Sequence, residues 1–369
     1  MVIFLNLSVC VSAIRDPRQL INQKHSLESL VLIIFSSTIS GYDSPSSMSE
    51  FAAMKLDWLK QYTDIKSAPC PETLRFFLAC IKPTDLIKGF SLFVSSLNKA
   101  TENDIISLDG KTLRSSKHKG KEAIHVISAW SQRFGITLCA LESEGKKNEI
   151  KTLPKLIDKL DAKGATITID AMGCQKAIAE RVVENEADYF LQLKNNQHGL
   201  LEEIKAYHHK LERDGYEENQ ISYFEEVGKG HGRLEVRKYQ HFTLSNWVEN
   251  ANEWKGLISA VRVERYCHTA KGESTEVAWY ISSLQPDAEH AGKAIRGHWE
   301  VENKLHWRLD VIFKDDACMA RSAALNISMI KRHCMNLLKI NDHSKKRMKH
   351  RVMSCAISDE YRETILFSV

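Results

Sequence analysis

The spacing of apolar residues changes character near residue 104, and two kinds of structure follow from it. Before that point the spacing is helical. Ser26 opens an apolar run from Leu27 to Ile39 that stops near Gly41. Ser47 and Glu50 stand at capping-box spacing, and behind them Phe51, Met54, Trp58, Leu59 and Tyr62 recur every three or four residues. Pro69, Pro71 and Pro83 punctuate two further short helices. Residues 1–100 therefore predict a small all-α N-terminal domain.

Beyond residue 104 short apolar runs alternate with amphipathic stretches. Ile105 to Leu108 reads as a strand ending at Asp109-Gly110, and 123–130 with 135–141 reads as a hairpin. Thr152 to Leu160 predicts a helix with Thr152 as N-cap and Pro154 in its first turn. Ala165 to Ile169 is a strand running into Asp170, 175–186 a helix, and Tyr189 to Leu193 a strand. Three strands, helix, strand, helix, strand is the order of an α/β, RNase H-like core, here over 101–199. A helix bearing Leu200, Ile204, Tyr207 and Leu211 then leads into β-rich segments at 221–227, 233–243, 257–265 and 275–284. These make 200–287 a mostly β insertion. Helical spacing returns at about 291–309 and 317–338, so 288–340 completes the core and 341–369 is left as a basic C-terminal tail.

Composition narrows the classes. With 369 residues, 43% hydrophobic and 27% charged, the chain can build ordinary cores and is neither fibrous nor disordered. No apolar run approaches the roughly 20 residues of a membrane span, so no membrane role is expected. Met1 to Ala13 is apolar but has no Lys or Arg before it, which argues against a cleaved signal. Nine cysteines, an odd number with no C-x-x-C pair, point to a reducing, cytoplasmic compartment.

A net charge of +4 does not itself imply nucleic acid, but its distribution is uneven. Lys331 to Arg351 holds eight Lys/Arg against the single acid Asp342, and Lys111, Arg114, Lys117, Lys119 and Lys121 follow directly on Asp109.

Phosphodiester chemistry without a covalent intermediate is well served by two divalent cations, and hard cations need carboxylates converging from separate elements. Asp109 and Asp170, each ending a predicted core strand, are two such ligands; the helix after the insertion offers Glu300 or Glu302 as a third. Ile295, Trp299, Glu302, His306 and Leu309 fall on one helical stripe, which predicts Glu302 turned toward the core. Glu300 lies off the stripe, with Arg296 and Lys304 four residues to either side, as expected of an exposed ion-paired face. His298, Glu302 and His306 could form a zinc-binding face but lack a distal ligand pair. Trp130, Trp299 and Trp307 read as core, and His208-His209 as surface.

Three segments carry a resemblance: Asp109-Gly-Lys-Thr-Leu-Arg114, Thr168-Ile-Asp170-Ala-Met-Gly-Cys-Gln175, and Arg296-Gly-His-Trp-Glu-Val-Glu302-Asn-Lys-Leu-His-Trp307. They are similar to motifs of the bacterial DDE insertion-sequence transposases, and within these to the H-repeat-associated group found near Rhs elements. The likeness extends over nearly the whole chain after about Arg15, including Lys147 to Ile150, Lys194 to Gln197 and Gly230 to Arg237. It implies Asp109, Asp170 and Glu302 as ligands of two Mg²⁺ (or Mn²⁺) ions, and an enzyme that cuts and joins the ends of a DNA element. Double-stranded DNA would be the partner, with a homo-oligomer on DNA and a nucleoid-associated location. Lys111, Arg114, Lys345, Lys346, Arg347 and Lys349 would then hold phosphates. Where related transposases often carry Tyr, Arg and Lys around the helix Glu, this chain has Ile295, His298 and Leu309, leaving His298 and Lys304 as the positive groups there. A metal-dependent nuclease without transposition, or an element remnant that only binds DNA, are the alternatives.

Overall fold

One sheet of nine strands organises the molecule, and its strand order explains where the two aspartates go. The computed structural model describes residues 11–19, 23–97, 101–117, 122–218, 220–230, 232–270, 272–318 and 321–368. Most of Met1 to Ala13, together with Lys119 and Lys121, lies outside the described residues. The strands are β1 (Ile105–Thr112), β2 (His125–Ser131), β3 (Ile136–Ser143), β4 (Thr166–Ile169), β5 (Asp188–Leu193), β6 (Ile221–Gly230), β7 (Arg233–Thr243), β8 (Ser259–Thr269) and β9 (Gly272–Ser282). Their order is β3-β2-β1-β4-β5-β9-β8-β7-β6. β1, β2 and β3 pair antiparallel, whereas β4 and β5 run parallel to β1 through helical crossovers.

The 200–287 segment extends this sheet instead of forming a layer of its own. β9 pairs antiparallel with β5, Phe190 facing Ser282 and Leu193 facing Trp279. Without it β5 would present an open edge of unpaired backbone groups, so the insertion closes the core strand's free side.

The helices are α1 (Leu27–Ile39), α2 (Pro45–Met54), α3 (Leu56–Leu59), α4 (Pro71–Cys80), α5 (Pro83–Ser96), α6 (Glu149–Ile157), α7 (Lys176–Glu184), α8 (His198–Asp214), α9 (Ala288–His298), α10 (Trp307–Val311), α11 (Ala324–Ile340), α12 (Met348–Ile357) and α13 (Asp359–Phe367). Ser26 caps α1 as its position predicts, accepting the Ser29 N–H. Two starts differ from expectation. α2 begins at Pro45 with a Ser44–Ser47 capping box, one turn before the Ser47–Glu50 pair, because proline suits the first helical position. α6 begins at Glu149, led in by a 3₁₀ turn, so Thr152 lies inside it and its hydroxyl bonds back to the Asn148 carbonyl.

One face of the sheet is covered by α6, α7 and α8 through Leu153, Leu156, Ile178, Val182, Leu200 and Ile204. Over β1, β4 and β5 the other face is covered by α9, whose Ala291, Ala294 and Ile295 pack on Phe190 of β5, Tyr239 of β7 and Tyr280 of β9. Over β2 and β3 the cover is α11, and here the N-terminal helices join in: Leu30, Ile33, Phe77 and Phe93 share one core with Val126, Trp130, Ile330 and Leu337.

The segment 341–369 is also folded. α12 and α13 dock on the N-terminal helices, where Arg362 lies over Trp58 at 4.2 Å and Trp58 Nε1 donates to Glu363 at 2.8 Å. No helix among the described residues is long and apolar enough to cross a membrane.

Candidate active site

Parallel pairing of β1 with β4 stops at Leu108 and Ile169, so Asp109 and Asp170 are the next residues along two neighbouring strands. β1 itself continues to Thr112 on its pairing with β2, past the end that Asp109 predicted. The two-residue period puts Ser107, Asp109, Thr168 and Asp170 on the face that α9 covers. Beneath the aspartates, Thr168 Oγ1 donates to Ser107 Oγ at 3.0 Å and meets His298 Nδ1 at 3.1 Å.

Both carboxylates are pinned by backbone. Asp109 Oδ1 accepts the Gly110 N–H at 2.9 Å, and Asp170 Oδ1 accepts the N–H groups of Met172 at 3.1 Å and Gly173 at 3.3 Å. Gly110 is a steric requirement: a Cβ there would stand 2.7 Å from Glu149 Oε1 and overlap the His125 ring.

The third acid arrives through a change of helix type. α9 ends at His298, and Glu302–His306 is a π-helical turn before α10. At about 87° per residue, four residues of π-helix nearly complete a turn, so Glu302 and His306 align. His306 Nδ1 lies 3.2 Å from Glu302 Oε2 and 3.4 Å from Asp109 Oδ2, and the three side chains offer ligand atoms all within 4.8 Å of one another.

The electrostatics agree with a cluster of acids. Burial pushes the Asp109 carboxyl above its ordinary value and the nearby Asp170 charge adds to this, while His306, His298 and the Gly110 N–H pull it back. The Glu302 carboxyl is held below its ordinary value, first by the His306 hydrogen bond and, against some burial, by the charges of His306, Lys111 and Arg114. Burial lowers the His298 pKa, with Asp109 and Asp170 opposing.

Several expectations need correction. Glu302 does not face the core; its side chain is 69% exposed, and Trp299 is 63% exposed and Trp307 53%. The break after His298 and the π turn shift the phase, so Val301, Leu305 and Leu309 form the buried stripe. Glu300 pairs with Lys304 as its spacing predicts, but Arg296 turns to Glu226 on β6. Lys111 is not displayed for phosphates. It is 7% exposed, and its ammonium lies 2.6 Å from Asp310 and 3.3 Å from Asp316. His298 lies beneath the aspartates, not on a DNA-facing surface. His208 is buried against Phe242 and Trp279.

The long basic run also divides. Lys331 and Arg332 are fully buried around Asp315, and Arg351 pairs with Asp342 at 2.9 Å. Lys345, Lys346, Arg347 and Lys349 remain exposed, as does Arg114, whose side chain is 85% exposed. His306, placed by its spacing on a shared face with Glu302, also meets Asp109, a contact that spacing alone did not predict.

Two family models match the chain: DDE_Tnp_1-associated over residues 9–94, and Transposase DDE domain over residues 100–338. The chain belongs to the DDE transposase family. Among its relatives, "Putative protein YbfL" of Escherichia coli (strain K12) is 35% identical over 366 residues, covering 96% of each chain. "H repeat-associated putative transposase YhhI" of the same strain is 34% identical, also over 96% of each. Among solved structures, a piggyBac transposase synaptic complex with hairpin DNA aligns over 99% of this chain and 81% of that one, at 10% identity and a TM-score of 0.46. In this DDE transposase family member, Asp109, Asp170, Glu302 and His306 all fall within the stretch matched as the transposase domain.

Proposed function

We propose that the protein is a DNA transposase that cuts and joins the ends of its element at the Asp109–Asp170–Glu302 cluster. Its catalytic unit would be an RNase H-like core formed by 101–199 and 288–340, with 200–287 inserted. The observation that carries this reading is the meeting of Asp109 with Glu302 and His306, with Asp170 set beside Asp109 by the parallel register of β1 and β4.

The donor set fits hard cations. Carboxylate oxygens of Asp109 from β1 and Glu302 from the π turn gather beside the His306 imidazole, Asp170 follows β4 on the neighbouring strand, and no Lys or Arg makes an ion pair with these three acids among the described residues. Asp109, Asp170 and Glu302 would hold Mg²⁺ or Mn²⁺. Such ions supply Lewis-acid polarisation of the phosphate and activation of the attacking oxygen.

The chain's own residues do the positioning. Backbone N–H groups fix one oxygen of each aspartate and leave the other to turn into the cluster. His306, buried and hydrogen-bonded through Nδ1, holds the Glu302 carboxylate over Asp109. The Lys111–Asp310–Asp316 pairs fasten α10 to β1 and so keep the π turn in place.

Double-stranded DNA is the proposed partner, bound by a homo-oligomer in the nucleoid. Arg347 stands at the N-cap position of α12 without a side-chain capping bond and Lys349 lies in the first turn, where positive charge opposes the helix dipole. With exposed Lys345 and Lys346 beside them, that arrangement favours a bound phosphate over a stability role. The test is an assay of purified protein on duplexes carrying the element's ends. Mg²⁺-dependent nicking followed by strand joining is expected; cutting without joining would return the protein to the nucleases.

A further inference from the structure

The insertion strands carry a charge arrangement that the proposed chemistry does not use. On β7, Arg233, Glu235, Arg237 and Tyr239 alternate onto the face beneath α9, and the register sets Arg237 directly opposite Arg265 of β8. Like charges opposed across antiparallel strands destabilise a sheet. A single nearly buried acid answers three guanidinium groups: Glu235 meets Arg237 at 2.5 Å, Arg265 at 2.9 Å and Arg233 at 3.1 Å. Burial works against the Glu235 charge, yet the Arg265 hydrogen bond and the surrounding arginines keep its carboxyl below the ordinary value. Arg265 also reaches the exposed rim residue Glu276 at 3.4 Å.

This cluster floors a cavity of about 500 Å³ between β7–β9 and the end of α9. Three donor atoms on side chains that line it are buried without a hydrogen-bond partner among the described residues: Arg237 Nη1, Arg265 Nε and Tyr239 Oη. Burial raises the Tyr239 pKa to about 12, so its hydroxyl keeps its proton. A buried donor left unmet costs about 1–3 kcal/mol, and three such donors on the side chains around one cavity favour a ligand that can accept from them. Arg233, Arg237, Arg265 and Arg296 line the cavity against Glu235, Glu276 and Glu300, an excess of positive charge that favours an anionic acceptor. Trp299, Tyr280 and Gln192 line both this cavity and the small recess at Asp170, so the two spaces adjoin.

We propose that the cavity is a phosphate subsite, in which Arg237, Arg265 and Tyr239 grip a backbone phosphate of the DNA strand that leads to Asp170. This deepens the transposase reading and rests on it. The volume accommodates the phosphate together with its attached nucleoside.

The test measures binding of a labelled element-end duplex to the full-length protein by fluorescence anisotropy across a salt series, without divalent metal. Arg265→Gln should weaken binding about tenfold and lower the salt slope by about one. Tyr239→Phe removes only the unmet hydroxyl and should weaken binding about threefold with an unchanged melting temperature. Glu235→Gln frees the guanidinium groups and should tighten binding, a direction that structural damage does not produce.

Wild-type affinity and slope in all three variants would overturn the subsite. It would also fall if inorganic phosphate raised the melting temperature of the wild type but not of Arg265→Gln while DNA affinity stayed the same, because the cavity would then hold a free anion. Since no metal is present, a protein that never cuts DNA but shows the three shifts keeps the subsite and loses the activity. One that cuts DNA without the shifts loses the subsite alone.

Discussion

In β1–β5 the charged side chains that converge do so where pairing runs out; in β6–β9 they lie in mid-strand, on a face roofed by a helix. The first half is covered on both faces, so that every residue of β2 is buried, and its acids emerge only past the paired length of β4. The second half is wetter: the first six residues of β9 are exposed, and β6 alternates between exposed and half-buried positions. A doubly covered sheet concentrates its chemistry at its ends, whereas a half-covered one can hold charge in the middle, provided that cross-strand partners share it. Glu235 with its three arginines is the second case, and Asp109 with Asp170 the first.

The largest expected effect lies at the strand ends. Asp170→Ala should reduce Mg²⁺-dependent nicking at least about a thousandfold while DNA affinity measured without metal changes little. Nicking that survives would move the chemistry out of β1–β5. Next comes the choice of glutamate. Glu302→Gln should lower nicking about a hundredfold or more, but Glu300→Gln, which frees only the Lys304 pair, should keep most of it. Equal losses in the two variants would mean that the π turn does not select Glu302.

Stability tests whether the halves fold as one. Ile281 is fully buried beside β5, and Ile281→Ala should cost about 2–5 kcal/mol in a single urea transition; Val227→Ala, 57% exposed on β6, should stay within about 0.5 kcal/mol. Two separate transitions, with only one shifted, would split the sheet.

Acid gives a related reading of the insertion. Burial lowers the His241 pKa to about 4, so below its unfolded value of 6.5 the unfolded chain takes up the proton first. Stability should therefore decline as pH falls from about 6.5 toward 4, by up to about 3 kcal/mol from this group, and then level off. His241→Gln should flatten that part of the melting-temperature profile, and an unaltered slope would remove His241 as its source. The smallest effect is expected outside the sheet. Replacing Lys345, Lys346, Arg347 and Lys349 with alanine should lower the salt slope of DNA binding by up to about four without changing the melting temperature. An unchanged slope would leave only the sheet and its rim holding phosphates.

Most strands and helices were legible in the residues, because a period of two or of 3.6 needs only local sequence: β7 spans Arg233–Thr243 as its alternation predicts, and Ser26 caps α1. Asp109 and Asp170 were legible for the same reason, since each follows a short apolar run, although β1 continues past Asp109 to Thr112. The orientation of Glu302 was not. Its stripe assumes one unbroken α-helix from 291 to 309, and the π turn breaks that phase.

The amino-acid sequence by itself determined which segments alternate and that Asp109 and Asp170 would each follow a short apolar run. Tertiary structure decided the rest. Lys111, Lys331 and Arg332 read as members of basic runs, yet Asp310, Asp315 and Asp316, brought beside them by the fold, bind or enclose their charge. Arg237 and Arg265 lie far apart in the chain and become a pair only through strand register. Periodicity is a property of neighbours along the chain, whereas the state of a charge depends on which distant groups share its low-dielectric surroundings.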